Sequence, residues 1–89
     1  LMVRWPGVTT PGGVDDEHLM SAVDLVPTLL EVLGLPLPDG LQGRSFAGAL
    51  RGEKLPDRDH IVAEYNENSG GDRSPMRAII TRDYGYLFN

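Results

Sequence analysis

Residues 21–40 read "SAVDLVPTLLEVLGLPLPDG", and this stretch specifies one helix with a fixed start and a fixed stop. Ala22, Leu25, Val26, Leu29, Leu30 and Leu33 follow the i, i+3, i+4, i+7, i+8, i+11 spacing of a single helical face, with Asp24, Thr28 and Glu31 on the opposite side. Ser21 followed three residues later by Asp24 resembles a capping box with Asp in place of Glu. Pro27 is tolerated if it lies in the first turn, where backbone N–H groups have no intrahelical partner. Gly34 can take the left-handed conformation that closes a helix, and Pro36 and Pro38 forbid its continuation. The apolar stripe predicts a large packing partner.

Outward from this helix, the chain divides at its Pro and Gly clusters. Residues 1–5 form a short strand-like run ended by Pro6-Gly7, followed by a loop, "GVTTPGGVDDE". The chain opens Leu1-Met2-Val3-Arg4-Trp5, which reads as the middle of a strand begun earlier, so a fragment of a longer protein is expected. A second helix is expected over residues 45–51, with Phe46, Ala49 and Leu50 inward and Gly52 as its stop. From His60 the period changes to two. Ile61, Ala63 and Tyr65 alternate with Val62 and Glu64, and Ala78-Ile79-Ile80 leads through "TRDYG" to Tyr84-Gly85-Tyr86-Leu87-Phe88. The last two runs predict an antiparallel hairpin turning near Arg82-Asp83, and the polar "NENSGGDRS" of residues 66–74 predicts a surface loop. The fold expected is α+β, with two helices and a small antiparallel sheet beside one orphan strand.

Composition bounds what such a chain can do. Its 89 residues are 40% hydrophobic and 24% charged, the balance of an ordinary globular domain. A chain of this size buries only about 60–65% of the surface its unfolded form exposes, so its core is thin. The net charge of -5 comes with scattered Lys and Arg, which disfavours nucleic acid and anionic membranes as partners. There is no cysteine, which removes disulfides, thiolate metal sites and a thiol nucleophile and leaves the redox compartment open. No apolar run approaches the roughly 18 residues of a spanning helix, and the first residues lack the pattern of a signal peptide.

The order of "MVRWPG", "SAVDLVPTLLEVLGLPLPDGLQGRSF", "ALRGE" and "SPMRAIITRDYGYLFN" resembles the C-terminal part of a sulfatase of the alkaline-phosphatase superfamily, and the ending is most similar to the heparan N-sulfatase (sulfamidase) branch. The most specific element is D-x-x-P-T-L-L (Asp24, Pro27, Thr28, Leu29, Leu30) followed by G-R-S (Gly43, Arg44, Ser45). The resemblance implies an alkaline-phosphatase-like α/β sandwich as the parent. Residues 1–59 would end its catalytic domain, and residues 60–89 would supply strands of its C-terminal subdomain. It further implies that the parent hydrolyses sulfate esters or N-sulfates, using a formylglycine nucleophile and a calcium ion. Phosphonate and phosphodiester hydrolases of the superfamily share the D-x-x-P-T helix and stand as an alternative, as does a stand-alone binding or assembly module.

The resemblance also shows what these residues lack. Formylglycine arises from the Cys or Ser of C/S-x-P-x-R, and in "RSPMR" the nucleophile position is Arg73, which cannot become an aldehyde. The chain is therefore expected to be inactive alone, with no catalytic or metal residue of its own and no cofactor. In relatives the C-terminal subdomain lies beside the active-site cleft, so Glu67, Asn68, Asp72 and Arg73 are the candidate substrate-binding residues. Carboxylates, an amide and a guanidinium fork suit sugar hydroxyls and sulfate. The expected partners are the remainder of a sulfatase chain, a sulfated sugar or other sulfate ester and, for the isolated chain, further copies of itself.

Four other constellations have a plain reading beside the chemical one. "DDEH" (Asp15, Asp16, Glu17, His18) offers four metal ligands, but consecutive residues converge poorly on one ion, and an acidic loop before a helix suits the helix dipole. His60 beside Asp59 could shuttle protons, though a solvated or capping role is favoured. Arg44 could hold an anion, though a salt bridge or a contact to the preceding helix is favoured. Tyr84, Tyr86 and Phe88 share one strand face, where burial in a core is favoured over stacking on a sugar.

Overall fold

A computed structural model describes residues 1–67, 70 and 73–89, and for Glu67, Arg73 and Ser74 the backbone alone. The chain forms two compact units, Leu1–Asp57 and Arg58–Asn89.

In the first unit a 3-10 turn over Ala22–Asp24 runs into helix α1, Leu25–Val32. Ser21 is extended, and its N–H donates to the Asp24 carboxylate at 2.8 Å, the bond that the Ser-x-x-Asp spacing predicts. Pro27 is the third residue of α1 and fully buried. The far end closes as a Schellman motif. Gly34 has φ +70°, its N–H donates to the Glu31 carbonyl at 3.0 Å, and the Leu35 N–H reaches back to the Leu30 carbonyl at 2.9 Å.

The side of α1 that turns inward is the polar one. Asp24 and Thr28 are 1% and 2% exposed, whereas Leu29 and Leu33 are 50% and 69% exposed. The segment of residues 43–46 docks on this polar side. The Arg44 N–H donates to Asp24 Oδ1 at 2.8 Å, the Phe46 N–H donates to Thr28 Oγ1 at 2.9 Å, and Ser45 Oγ donates to Glu31 Oε2. Thr28 passes its own proton to the Asp24 carbonyl at 2.7 Å. Gly43 lies against the Val23 carbonyl, the group that a residue other than proline at position 27 would bond. A Cβ on Gly43 would come within 1.9 Å of that oxygen and 2.9 Å of Asp24 Cα. The second helix, α2, is the short Ala47–Leu50, stopped by Gly52 at φ +84°. Phe46 and Ala47 are its buried apolar pair, while Ala49 and Leu50, expected inward, are half-buried.

The expected orphan strand is corrected. Residues 1–5 have no ladder partner and form irregular backbone, because a strand exists only through the bonds that a neighbouring strand returns. What fixes this end is a turn instead. Val8 and Thr9 N–H groups donate to the Trp5 carbonyl at 3.0 Å, and Thr9 Oγ1 accepts the Trp5 N–H at 3.1 Å. The DDEH stretch is likewise a self-contained turn. Asp15 Oδ1 accepts the Glu17 and His18 N–H groups at 3.0 Å, and Oδ2 lies 2.7 Å from His18 Nδ1.

The second unit is a three-stranded antiparallel sheet in the order β1-β2-β3, with β1 His60–Glu67, β2 Arg73–Thr81 and β3 Gly85–Phe88. The predicted hairpin joins β2 to β3 around Arg82-Asp83, where Thr81 and Tyr84 exchange bonds of 2.7 and 3.0 Å. The loop expected over residues 66–74 is shorter, because β1 continues to Glu67 and β2 begins at Arg73. The register runs from His60↔Thr81 to Tyr65↔Met76 and then shifts to Glu67↔Arg73. Ser74 and Pro75 thus face the single residue Asn66. Pro75 has no N–H to give a ladder, and a bulge is where a strand can accept it.

Two stability measurements check this account. Thr28→Val keeps the shape of the side chain but leaves the Phe46 N–H without its acceptor. It should cost about 1–3 kcal/mol in urea melts, and Gly43→Ala should cost at least as much, because backbone must move. Leu29→Ser, on the exposed side, should cost clearly less than either. The second measurement concerns acid. The His18 side chain, helped by the His18 and Glu17 N–H groups and opposed by slight burial, holds Asp15 below its ordinary value of 3.8. A carboxyl depressed by folding adds stability above its ordinary value, and that stability is lost as pH falls through the folded value. Asp15→Asn should therefore lower stability at pH 7 and flatten the loss below about pH 4.

Candidate functional site

The chemistry-bearing groups of the sheet collect at one end of one face. Residues paired across an antiparallel ladder project to the same side. Glu64↔Arg77 and Arg77↔Phe88 therefore align three side chains across the sheet, and Val62, Ile79 and Tyr86 form the next row. Arg77 ties the end together. Its Nε lies 3.3 Å from Glu64 Oε2, and its Nη1 donates to Asn66 Oδ1 and to the Met76 carbonyl, both at 3.0 Å. Asn66 is two residues from Glu64 on β1, so strand alternation puts both on the face that Arg77 occupies.

Beside this cluster is an apolar hollow of about 230 Å³, lined by Val62, Ile79, Tyr86 and Phe88 with Arg77 and Ala78. Tyr86 and Phe88, expected in a core, are 66% and 58% exposed, and Tyr84, 80% exposed, lies before the strand. That correction has a simple cause. A three-stranded sheet without a second layer in its own unit has nothing to bury its faces against.

Of the sequence-predicted substrate residues, Glu67 and Arg73 are ladder partners at the open end of β1 and β2, adjacent to Asn66. Asn68 and Asp72 lie outside the described residues. Residue typing alone missed Glu64, Asn66 and Arg77 as a set. The signal that could have found them was the hairpin register, which sets Glu64 opposite Arg77.

The other constellations resolve as local structure. Arg44 meets the preceding helix through its main-chain N–H, a bond to Asp24 that any residue except proline could make. His60 Nδ1 lies 2.8 Å from Asp59 Oδ1 with both side chains exposed, and this bond lowers the Asp59 pKa. Among the described residues no group of three or more His, Cys, Asp or Glu side chains could hold a metal ion. Position 73, the nucleophile position of the C/S-x-P-x-R pattern in RSPMR, is Arg, which cannot become formylglycine.

Residues 1–88 match the family described as N-sulphoglucosamine sulphohydrolase, C-terminal. An ulvan-active sulfatase of Formosa agariphila is 29% identical over 90 residues, covering 99% of this chain and 18% of that protein. An endo-4-O-sulfatase of Bacteroides thetaiotaomicron is 39% identical over 74 residues, covering 81% of this chain and 14% of that protein. The solved structure of a 2-O GAG sulfatase superposes with a TM-score of 0.61 at 32% identity, over 72% of this chain and 14% of that one. The chain thus spans less than a fifth of the length of each of these relatives. With the D-x-x-P-T helix, the G-R-S segment docked on it and the antiparallel strands all inside the match, the chain belongs to the N-sulphoglucosamine sulphohydrolase C-terminal family of sulfatases.

Proposed function

We propose that this chain serves as the C-terminal part of a sulfatase, contributes one wall of the pocket for a sulfated glycan, and hydrolyses nothing by itself. The observation that carries this reading is the Glu64–Arg77–Asn66 cluster beside exposed Tyr86 and Phe88. Aromatic faces suit the C–H surface of a pyranose. A carboxylate, an amide and a guanidinium at the rim suit its hydroxyls and sulfate. Glu67, Asn68, Asp72 and Arg73, the residue types that the sequence offers for sugar and sulfate, stand as further candidates for the same substrate. The names of the relatives point the same way, since two of them are named for ulvan and for GAG.

In this reading residues 1–59 end the catalytic α/β domain and residues 60–89 belong to the C-terminal subdomain. The nucleophile and the calcium that activates it belong to the remainder of the parent chain. That remainder also covers the outward stripe of Leu25, Val26, Leu29 and Leu33. Leaving such side chains in water forgoes roughly 1.5–3 kcal/mol each, so the isolated chain associates with copies of itself.

Substrate-dependent kinetics test the pocket. In a full-length sulfatase carrying this segment, Arg77→Ala should lower kcat/KM for a sulfated oligosaccharide by about tenfold, the ~1.4 kcal/mol of one charge-assisted contact. A small aryl sulfate should change by less than about twofold, because it lacks the remote sugar that the rim would touch. Equal losses on both substrates, or on neither, would remove the sheet from the pocket. The 89-residue chain alone should show no turnover of an aryl sulfate with or without calcium. Light scattering should find it larger than a monomer, and a stable monomer whose stability Leu29→Asp leaves unchanged would refute the lost-interface reading.

A further inference from the structure

We propose that His18 is an acid-released latch: neutral, its ring bridges the Asp15 turn to the segment carrying Leu55, and protonated, it keeps Asp15 and lets Leu55 go. The ring has a partner on each nitrogen. Nδ1 lies 2.7 Å from Asp15 Oδ2, and Nε2 accepts the Leu55 N–H at 3.1 Å. A backbone N–H can only donate, so Nε2 must be bare and the single ring proton must sit on Nδ1, facing the carboxylate. No other protonation state satisfies both bonds.

A second proton, on Nε2, sets one N–H against another and ends the Leu55 bond. The Nδ1–H bond to Asp15 survives and gains charge. Acid therefore shifts the ring from two partners to one, in a fixed direction. The His18 side chain is 15% exposed and Leu55 is half-buried, so bulk water replaces the lost acceptor poorly. Pro56 follows directly and has no N–H to offer instead. The charged groups on the two segments that meet at the ring are Asp15, Asp16 and Glu17 on one side and Glu53, Lys54 and Asp57 on the other. Of these, Asp15 bonds the ring, and Glu53 is paired with Arg51 at 3.5 Å.

Histidine is the side chain that gains a ring proton in mildly acid solution. Protonation of Nε2 is thus the event that opens the latch, since it removes the lone pair that the Leu55 N–H uses. Leu55 lies in the stretch that leads from α2 to the second unit at Arg58, so the connector is pinned at neutral pH and freed in acid.

NMR on the 89-residue chain tests this. At pH 8 the ring nitrogens should report the tautomer protonated on Nδ1. From pH 8 to pH 5 the exchange protection factor of the Leu55 amide should fall about tenfold, the ~1.4 kcal/mol of one hydrogen bond, while that of the Arg44 amide on Asp24 holds. His18→Gln offers Leu55 an acceptor that does not titrate, and the fall should vanish. An Nε2-protonated tautomer at pH 8, Leu55 protection that ignores the ring's titration, or the same fall in His18→Gln would each overturn the latch. Should His18→Gln fail to fold, the tautomer and the Leu55-to-Arg44 comparison in the unaltered chain still decide.

Discussion

The Asp24 carboxylate holds two pieces of chain that are twenty positions apart, and the first unit is organised around it. One oxygen takes the Ser21 N–H and starts the helix, and the other takes the Arg44 N–H and anchors the returning segment. One turn further along, the Thr28 hydroxyl joins the Asp24 carbonyl to the Phe46 N–H. A buried carboxylate is costly unless its oxygens are fully used. Here the donors include main-chain N–H groups, whose positions the backbone fixes. The bonds therefore specify where residues 43–46 lie, and with them Phe46 and Ala47, the buried apolar pair of this unit. Gly43 is required by the same contact, because no Cβ fits between it and the Val23 carbonyl.

This arrangement turns the usual logic of an amphipathic helix around. The polar side of α1 is satisfied within the chain, so it faces inward, and the Leu-rich side is left facing out. A unit of 57 residues has too little apolar surface of its own to cover both sides of a helix. The helix is thus built to be gripped from two directions: by hydrogen bonds from its own chain and by apolar contact from elsewhere. In a family whose members here are more than five times as long as this chain, the proposed source of that second contact is the rest of a sulfatase.

In the sheet the deciding constraint is Pro75. It cannot donate to a ladder, and the register skips a residue there, two positions beyond the Arg77 that pairs with Glu64 and bonds Asn66. A proline that would damage a continuous central strand is harmless here, because β3 pairs only from Arg77 onward. The polar end of the proposed pocket wall follows from the regular register before that interruption, which sets Glu64 opposite Arg77.

Local chemistry was legible in the sequence: where α1 starts at Ser21, why Pro27 is tolerated, how Gly34 and Gly52 stop their helices, and where β2 turns into β3. Each depends on backbone rules that act within a few residues. The family was legible too, because the order of D-x-x-P-T-L-L and G-R-S resembles that of its members. The inward face of α1 was not, since periodicity reports which residues share a side and not which side meets the returning chain. Nor were the exposed Tyr86 and Phe88 or the Glu64–Arg77–Asn66 cluster legible, for they depend on the pairing register of β1 with β2 and on whether a second layer covers the sheet. Those are matters of contact between distant residues, and only the tertiary structure decides them, because a hydrogen bond from Arg44 to Asp24 has no local signature until the chain has folded back.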